Sequence, residues 1–335
     1  MARIDDAVSR ILTKKFQLGL FEHPFADRTR IADIGGSEHR AVARQAAAES
    51  QVLLKNSGHA LPLAKDARVY VAGRNADDLG NQAGGWTITW QGQSGTHTEG
   101  TTILQGMRQV APRADITYSA DASAPMTGSD VGVVVVGETP YAEGYGDVGG
   151  PQWAYDPSDG NQPREPKTME LKPEDRAVVD KVCSALPTCV VMVVSGRPQV
   201  VTDQLGEIDA LVASWLPGSE GEGVADVLFG RRPFTGQLSQ SWPRSADQEP
   251  LNVGDAGYAP LFPFGWGLTT GSAVKGSTEP RDVTALRQLA QKRVLDPAWG
   301  VSAGAADALA RADVATLKGD TRTARKLYLE VIASR

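Results

Sequence analysis

The chain has 335 residues, with 34 Lys plus Arg against 40 Asp plus Glu and a formal net charge of −6. That length accommodates two ordinary domains or one large domain with appendages, and the 41% hydrophobic content supports a substantial core. The negative balance argues against nucleic-acid or anionic-lipid binding. The longest apolar runs, Val133–Val136 and Cys189–Val194, fall far short of the roughly 18 residues that a membrane helix needs.

The first residues, with Arg3, Asp5 and Asp6 after Met1, read as carrying no secretory signal. Ile4, Val8, Ile11, Phe16 and Leu20 recur at helical spacing and predict a helix over Arg3–Leu20, with Lys14 and Lys15 on its wet side. Phe21–Ile34 reads as a connector. A second, Ala-rich helix is predicted over Ser37–Leu54, opened by Ser37 at a cap position. This segment has the character of a tether leading into a domain.

From Ala67 the pattern changes. Short β-branched runs predict strands at Ala67–Ala72, Ile116–Tyr118, Val131–Val136, Val190–Val194 and Ala210–Ser214. Helical stretches lie between them at Thr102–Val110, Pro173–Leu186, Gln199–Gln204 and Glu220–Phe229. Apolar strands alternating with helices predict an α/β fold, a mostly parallel sheet sandwiched between helices. Ligands of such sheets bind at the carboxyl ends of the strands. Here those ends carry Gly137–Glu138, Ser195–Pro198 and Leu216–Gly221, and a long loop is predicted over Tyr145–Pro166. After the small-residue linker Gly271–Thr278 the chain reads as a helical appendage, with a turn at Gly319-Asp320 that faintly suggests a single tetratricopeptide-like hairpin.

Several chemistries lack their residues. His23, His39, His59 and His97 are unaccompanied by a G-x-S-x-G elbow. The glycines of Gly218–Gly223 have neither phosphate-loop nor dinucleotide spacing and read as a strand-to-helix turn. No acidic cluster has metal-site spacing, and no cofactor is expected. The two cysteines, Cys183 and Cys189, are either separate buried thiols or a local bridge that would imply an oxidising compartment.

What remains are carboxylates beside aromatics. Val136–Asp147 leaves a buried strand and contributes Glu138, Glu143 and Asp147 with two tyrosines, while Trp86 and Trp90 follow an Ala83-Gly-Gly turn. Taken singly, the indoles fit a core and Glu143 a solvated loop. Together on strand-end loops they point to a sugar site, because indoles cover the C–H faces of sugar rings and carboxylates meet the hydroxyls. A carboxylic acid against apolar surface can also serve as a general acid.

These motifs resemble a known family. Arg3-Ile-Asp-Asp-Ala-Val-Ser-Arg-Ile-Leu, Leu18-Gly-Leu-Phe-Glu, Glu49-Ser-Gln-Val-Leu-Leu-Lys-Asn56, Gly84-Gly-Trp-Thr-Ile-Thr-Trp-Gln-Gly92 and Val136-Gly-Glu-Thr-Pro-Tyr-Ala-Glu143 occur in order. Ser195-Gly-Arg-Pro198, Trp215-Leu-Pro-Gly-Ser-Glu-Gly-Glu-Gly223, Phe234-Thr-Gly-Gln-Leu and Phe262-Pro-Phe-Gly-Trp-Gly-Leu268 follow. Over residues 1–270 the chain resembles the C-terminal half of glycoside hydrolase family 3, in its β-glucosidase and β-glucan exohydrolase branch. The resemblance implies an α/β sandwich over 41–270, preceded at 1–40 by the end of a (β/α)8 barrel and its linker, and followed at 271–335 by a tail of unknown role.

It further implies that Glu143 is the acid/base and that Trp86 and Trp90 line the substrate site, with Glu138 beside them as a binding residue. It also implies a Cys183–Cys189 disulfide. The substrate would be a β-linked glucoside or oligosaccharide. The nucleophilic Asp would come from a barrel in cis or trans, so that the isolated chain is expected to be inactive. The family is often exported, which implies a periplasmic or secreted complete enzyme. Alternatives are one subunit of a split hydrolase, a non-catalytic glycan-binding module, and a partner-binding protein acting through its tail.

Overall fold

The structure, a computed structural model, describes residues 1–143, 168–270, 290, 308–309, 311–312, 315 and 321–333. The loop predicted over Tyr145–Pro166, with Asp147, and the Gly271–Thr278 and Gly319-Asp320 segments lie outside the described residues. The chain divides into two compact units, Met1–Val42 and Ala43–Arg335.

In the first unit α1 spans Ala2–Gln17, opens on Asp5, closes on Lys14 and Lys15, and buries none of its residues. Acid at the start and base at the end complement the helix dipole. In its last turn Phe16 pairs its ring with that of Phe21 just beyond the helix, at 4.5 Å.

The second unit is built on a six-stranded sheet in the order β1-β6-β5-β4-β2-β3. Its strands are β1 (Val52–Asn56), β2 (Arg68–Ala72), β3 (Asp115–Tyr118), β4 (Val131–Gly137), β5 (Cys189–Val194) and β6 (Ala210–Trp215). All neighbours run parallel except β1, which pairs antiparallel with β6 at the edge. Every residue of β4 and β5 is buried. Strands covered on both faces have no wet side to alternate toward, hence the unbroken Val-rich runs.

Helices α2 (Ser37–Ser50), α3 (Leu79–Ala83), α4 (Ile103–Val110), α5 (Pro173–Ala185) and α6 (Gly221–Leu228) accompany the sheet. The start of α4 is closed reciprocally: Thr102 Oγ1 accepts from the Gln105 N–H, and Gln105 Oε1 accepts from the Thr102 N–H. Ile103, Leu104, Met107 and Val110 then face the core at helical spacing. Pro173 opens α5, where its missing N–H costs nothing. Cys183 near the end of α5 and Cys189 at the start of β5 are joined by a disulfide. In the tail, α7 (Thr321–Ala333) contributes Ala324, Leu327, Tyr328 and Val331 to a small separate cluster, against which Val253 packs.

Two expectations are corrected. The second helix ends at Ser50 rather than Leu54, and Val52–Asn56 is a strand. Val52-Leu-Leu follows the Ala-rich helix with no Gly or Pro to end it and so reads as helix locally, but pairing with β6 and burial of all three side chains decide for strand. Gln199–Gln204 is not a helix. Val200 instead bridges to Glu170, and the Gln199 carbonyl accepts the Trp242 indole N–H, so long-range partners take the backbone groups that a helix would have used.

The Gly218–Gly223 run does form a strand-to-helix turn, yet Gly221 has a further role. A Cβ there would lie 2.2 Å from the Thr102 carbonyl oxygen, and one on Gly106 would lie 2.5 Å from Gly221 carbonyl atoms. Helices α4 and α6 thus touch backbone to backbone. Alanine at position 106 would gain about 1 kcal/mol of helix propensity, which the overlap outweighs. Gly106→Ala should therefore lose roughly 2 kcal/mol of stability, read from the denaturant midpoint.

Candidate active site

The parallel strands β4, β5 and β6 end side by side at Gly137, Val194 and Trp215. Glu138 follows β4 directly and turns inward, 8% exposed. Its Oε2 accepts from Ser195 Oγ at 2.6 Å, and its Oε1 accepts from Arg197 Nη2 at 2.8 Å and Nε at 3.1 Å. Burial opposes the Arg197 charge, but the hydrogen bond and charge of Glu138 outweigh it and raise the guanidinium above its ordinary value. Arg197 then lies over the Tyr141 ring, 5.3 Å from its centroid, a cation–π contact.

One residue earlier, Gly137 is pinned by a second pair. Asp175 accepts from Arg74 Nη2 at 2.9 Å, from Arg74 Nε at 3.2 Å and from the Gly137 N–H, while Arg74 donates to the Gly137 carbonyl. Buried Asn75 reaches the Glu138 carbonyl at 3.3 Å, and its Oδ1 accepts from Asn81, whose own Oδ1 accepts from Ser94. Burial raises the Asp175 pKa, with Arg74 and the Gly137 N–H pulling the other way.

Beyond these anchors two loops lie side by side. One is the Tyr141–Glu143 segment, the other the indole loop over 84–92. Their close approach needs glycine: a Cβ on Gly85 would lie 2.1 Å from the Tyr141 carbonyl oxygen, and one on Gly92 would lie 2.8 Å from Pro140 Cβ. Within the indole loop the Trp86 N–H donates to the Trp90 carbonyl. Trp86 and Ile88 take positive φ, 60° and 62°, and both are more than two-thirds exposed. Trp86 and Trp90 stand with ring centroids 6.4 Å apart and planes at 52°. Trp90 Nε1 donates to Glu143 Oε2 at 2.5 Å, and Glu143 is exposed.

Glu143 therefore meets Trp90, which stands beside Trp86, so that a carboxyl group and two indoles gather at one open place. Glu138 does not join them: both of its oxygens face Ser195 and Arg197. A cavity of about 570 Å³ opens on the Arg197 side, lined also by Pro198, Gln240, Ser241 and Asn252. None of Trp86, Trp90 and Glu143 lines it. Among the described residues no group of three or more His, Cys, Asp or Glu could hold a metal ion, and no helix is long and apolar enough to cross a membrane.

Residue-by-residue reading missed Gln91, Arg197 and the Asn75 chain. Gln91 and Arg197 sit inside motifs quoted for other residues, and their neighbours alone could have drawn notice to them.

Fold and site together define an open α/β domain in which exposed indoles and a carboxyl group meet on loops beyond the carboxyl ends of its strands, the side where sheets of this class bind ligands. Residues 51–270 match the Glycosyl hydrolase family 3 C-terminal domain, and the chain belongs to that family. It is 31% identical to the lysosomal beta glucosidase of Dictyostelium discoideum over 80% of this chain and 34% of that protein. It is 27% identical to the periplasmic beta-glucosidase of Salmonella typhimurium over 80% of this chain and 40% of the other. The solved exo-1,3/1,4-beta-glucanase from a Pseudoalteromonas species superposes with a TM-score of 0.70 at 37% identity, covering 83% of this chain and 35% of that one. The chain thus spans between about a third and two-fifths of these relatives' lengths.

Asp175 yields a pH-dependent expectation. A carboxyl whose folded pKa is raised gives full stability below its unfolded pKa and loses it as pH rises through the folded value; Arg74 limits that loss. Arg74→Ala should therefore cost roughly 3 kcal/mol near pH 7, and, because the folded Asp175 carboxyl titrates above its ordinary range, the deficit should shrink as pH falls from neutrality toward about 4. Thermal melts of both proteins across that range would check it.

Proposed function

We propose that this chain supplies the acid/base half of a retaining, exo-acting site for β-linked glucosides or β-glucans, with Glu143 as the proton-transfer group. The single observation that carries this reading is the open constellation of Glu143 with Trp86 and Trp90. A sugar ring offers apolar C–H faces to the indoles while its glycosidic oxygen meets the carboxyl group. Membership of the family and the beta-glucosidase and exo-beta-glucanase relatives support the substrate class.

In this reading Glu143 protonates the departing glycosidic oxygen as a carboxylate nucleophile attacks the anomeric carbon. It then takes a proton from water to release the sugar with retained configuration. The nucleophile comes from a (β/α)8 barrel in the same polypeptide or another, held about 5–5.5 Å from Glu143. Glu138 serves the site by holding Arg197, and through it Tyr141, rather than by touching sugar. Residues 1–40 belong with the barrel linkage, 41–270 form the sandwich, and 271–335 are a tail whose role is separate from the site.

The 335-residue chain alone should show little or no hydrolysis of an aryl β-glucoside, because groups that act as a unit lose most of their effect when one is absent. Joined to or mixed with a family 3 barrel it should hydrolyse that substrate, and Glu143→Gln should lower the rate roughly 10²-fold or more. Turnover by the chain alone at an enzymatic rate would overturn the half-site reading. Trp86, 70% exposed, favours one further reading, a glycan-binding module. In that case the chain alone binds oligosaccharide, Trp90→Ala weakens the binding, and Glu143→Gln leaves it unchanged.

A further inference from the structure

We propose that Gln91 is the positioning residue for Glu143: its side-chain amide grips the main chain on both sides of the Ala142–Glu143 peptide and so aims the carboxyl group. The inference rests on the acid/base reading of Glu143 for its catalytic meaning, but the grip itself is testable without it.

Residues 138–143 leave the end of β4 with no strand pairing of their own. A segment of this kind has free backbone donors and acceptors, and its orientation depends on what satisfies them. The Gln91 side chain does so from the neighbouring loop. Its Oε1 accepts from the Ala142 N–H at 3.1 Å, and its Nε2 donates to the Glu143 carbonyl at 3.4 Å. One side-chain amide thereby satisfies a main-chain donor and a main-chain acceptor on two consecutive residues. Gln91 is only 8% exposed. In a buried place an amide with no partner would be costly, so the contact is maintained from both sides.

The next residue back completes the arrangement. Trp90 Nε1 holds the Glu143 carboxyl group itself. Two consecutive residues of one loop therefore fix the main chain and the side chain of the same acid. Tyr141 in turn is stacked with Arg197, so the segment is held at each end of a three-residue span. Of these contacts, the Gln91 pair is the one made to the Glu143 peptide group. Loss of the amide would free Ala142 and Glu143 to rotate while leaving Trp90 and Glu143 chemically intact.

The grip can be read directly in this chain from the indole N–H signals in a proton–nitrogen correlation spectrum. The chain has seven tryptophans, and Trp90→Phe assigns the signal of Trp90. Glu143→Gln should move that signal, because a carboxylate acceptor becomes an amide. Gln91→Ala should move it in the same direction, with the remaining six signals in place as the internal check of folding. Gln91→Glu is the second variant: it preserves volume and the acceptor to Ala142 but loses the donor to Glu143, and should move the signal by a smaller amount. A Trp90 signal that stays at its wild-type position in both Gln91 variants would overturn the proposal.

Hydrolysis supplies the readout that loose folding would not mimic. In the chain joined to a barrel, Gln91→Ala should lower kcat/KM on an aryl β-glucoside with a poor leaving group by roughly 10-fold or more, as expected for a misplaced acid. It should leave kcat/KM nearly unchanged for a dinitrophenyl glucoside, whose leaving group needs no proton. Equal losses on both substrates would overturn the positioning role. Absence of hydrolysis in every joined form, with the Trp90 signal still responding to Gln91, would count against the acid/base reading while leaving the grip standing.

Discussion

A carboxylate that leaves water needs a cation and hydrogen-bond donors, and Glu138 finds both at the end of β4. Ser195 and Arg197 come from the end of the adjacent parallel strand, so the bond ties together two strand ends that the sheet has already placed side by side. Breaking such a pair by removing one partner is far more costly than never having built it. The pair therefore imposes an orientation on the segment beyond β4: Arg197 carries Tyr141, and Tyr141 leads into Glu143. The second pair, Arg74 with Asp175, acts in the same way on Gly137.

The indole loop is built at the opposite extreme of burial. Trp86 and Ile88 combine large apolar side chains, high exposure and positive φ, each of which is unfavourable by itself. Left-handed backbone at a β-branched residue costs of order 1–3 kcal/mol and persists only where surrounding structure over-determines it. That surrounding structure is visible: Gly85 and Gly92 permit close docking on residues 140–141, and the Trp86 N–H is closed onto the Trp90 carbonyl. An exposed apolar surface held in a strained loop, next to a carboxyl group, fits a surface kept open for a ligand face.

Much of this architecture is legible along the chain. The Val-rich runs of β4 and β5 are long, unbroken and bounded by turn residues, so local pattern and tertiary role agree. The start of α4 is equally local, since Thr102 and Gln105 close its first turn within four residues. Val52–Asn56 fails the same test because its conformation depends on β6, more than 150 residues away in sequence. Glu138 shows the limit for single residues. Beside two tyrosines and two further acids it reads as a ligand-facing group, yet its cation lies 59 residues downstream and turns it inward.

The sequence by itself determined the α/β class, the order of most elements, and the presence of acid and indoles on strand-end loops. These depend on periodicity and on neighbours within a few positions, which a linear chain displays. Tertiary structure alone decided which of those groups meet. Trp90 reaches Glu143 across 53 positions, and Gln91 grips the same acid's main chain across nearly the same span. Glu138 goes inward because the parallel register sets Val194 beside Gly137 and so brings Ser195 and Arg197 to it. Such pairings arise from sheet register and the close docking of two loops, and no local pattern encodes either.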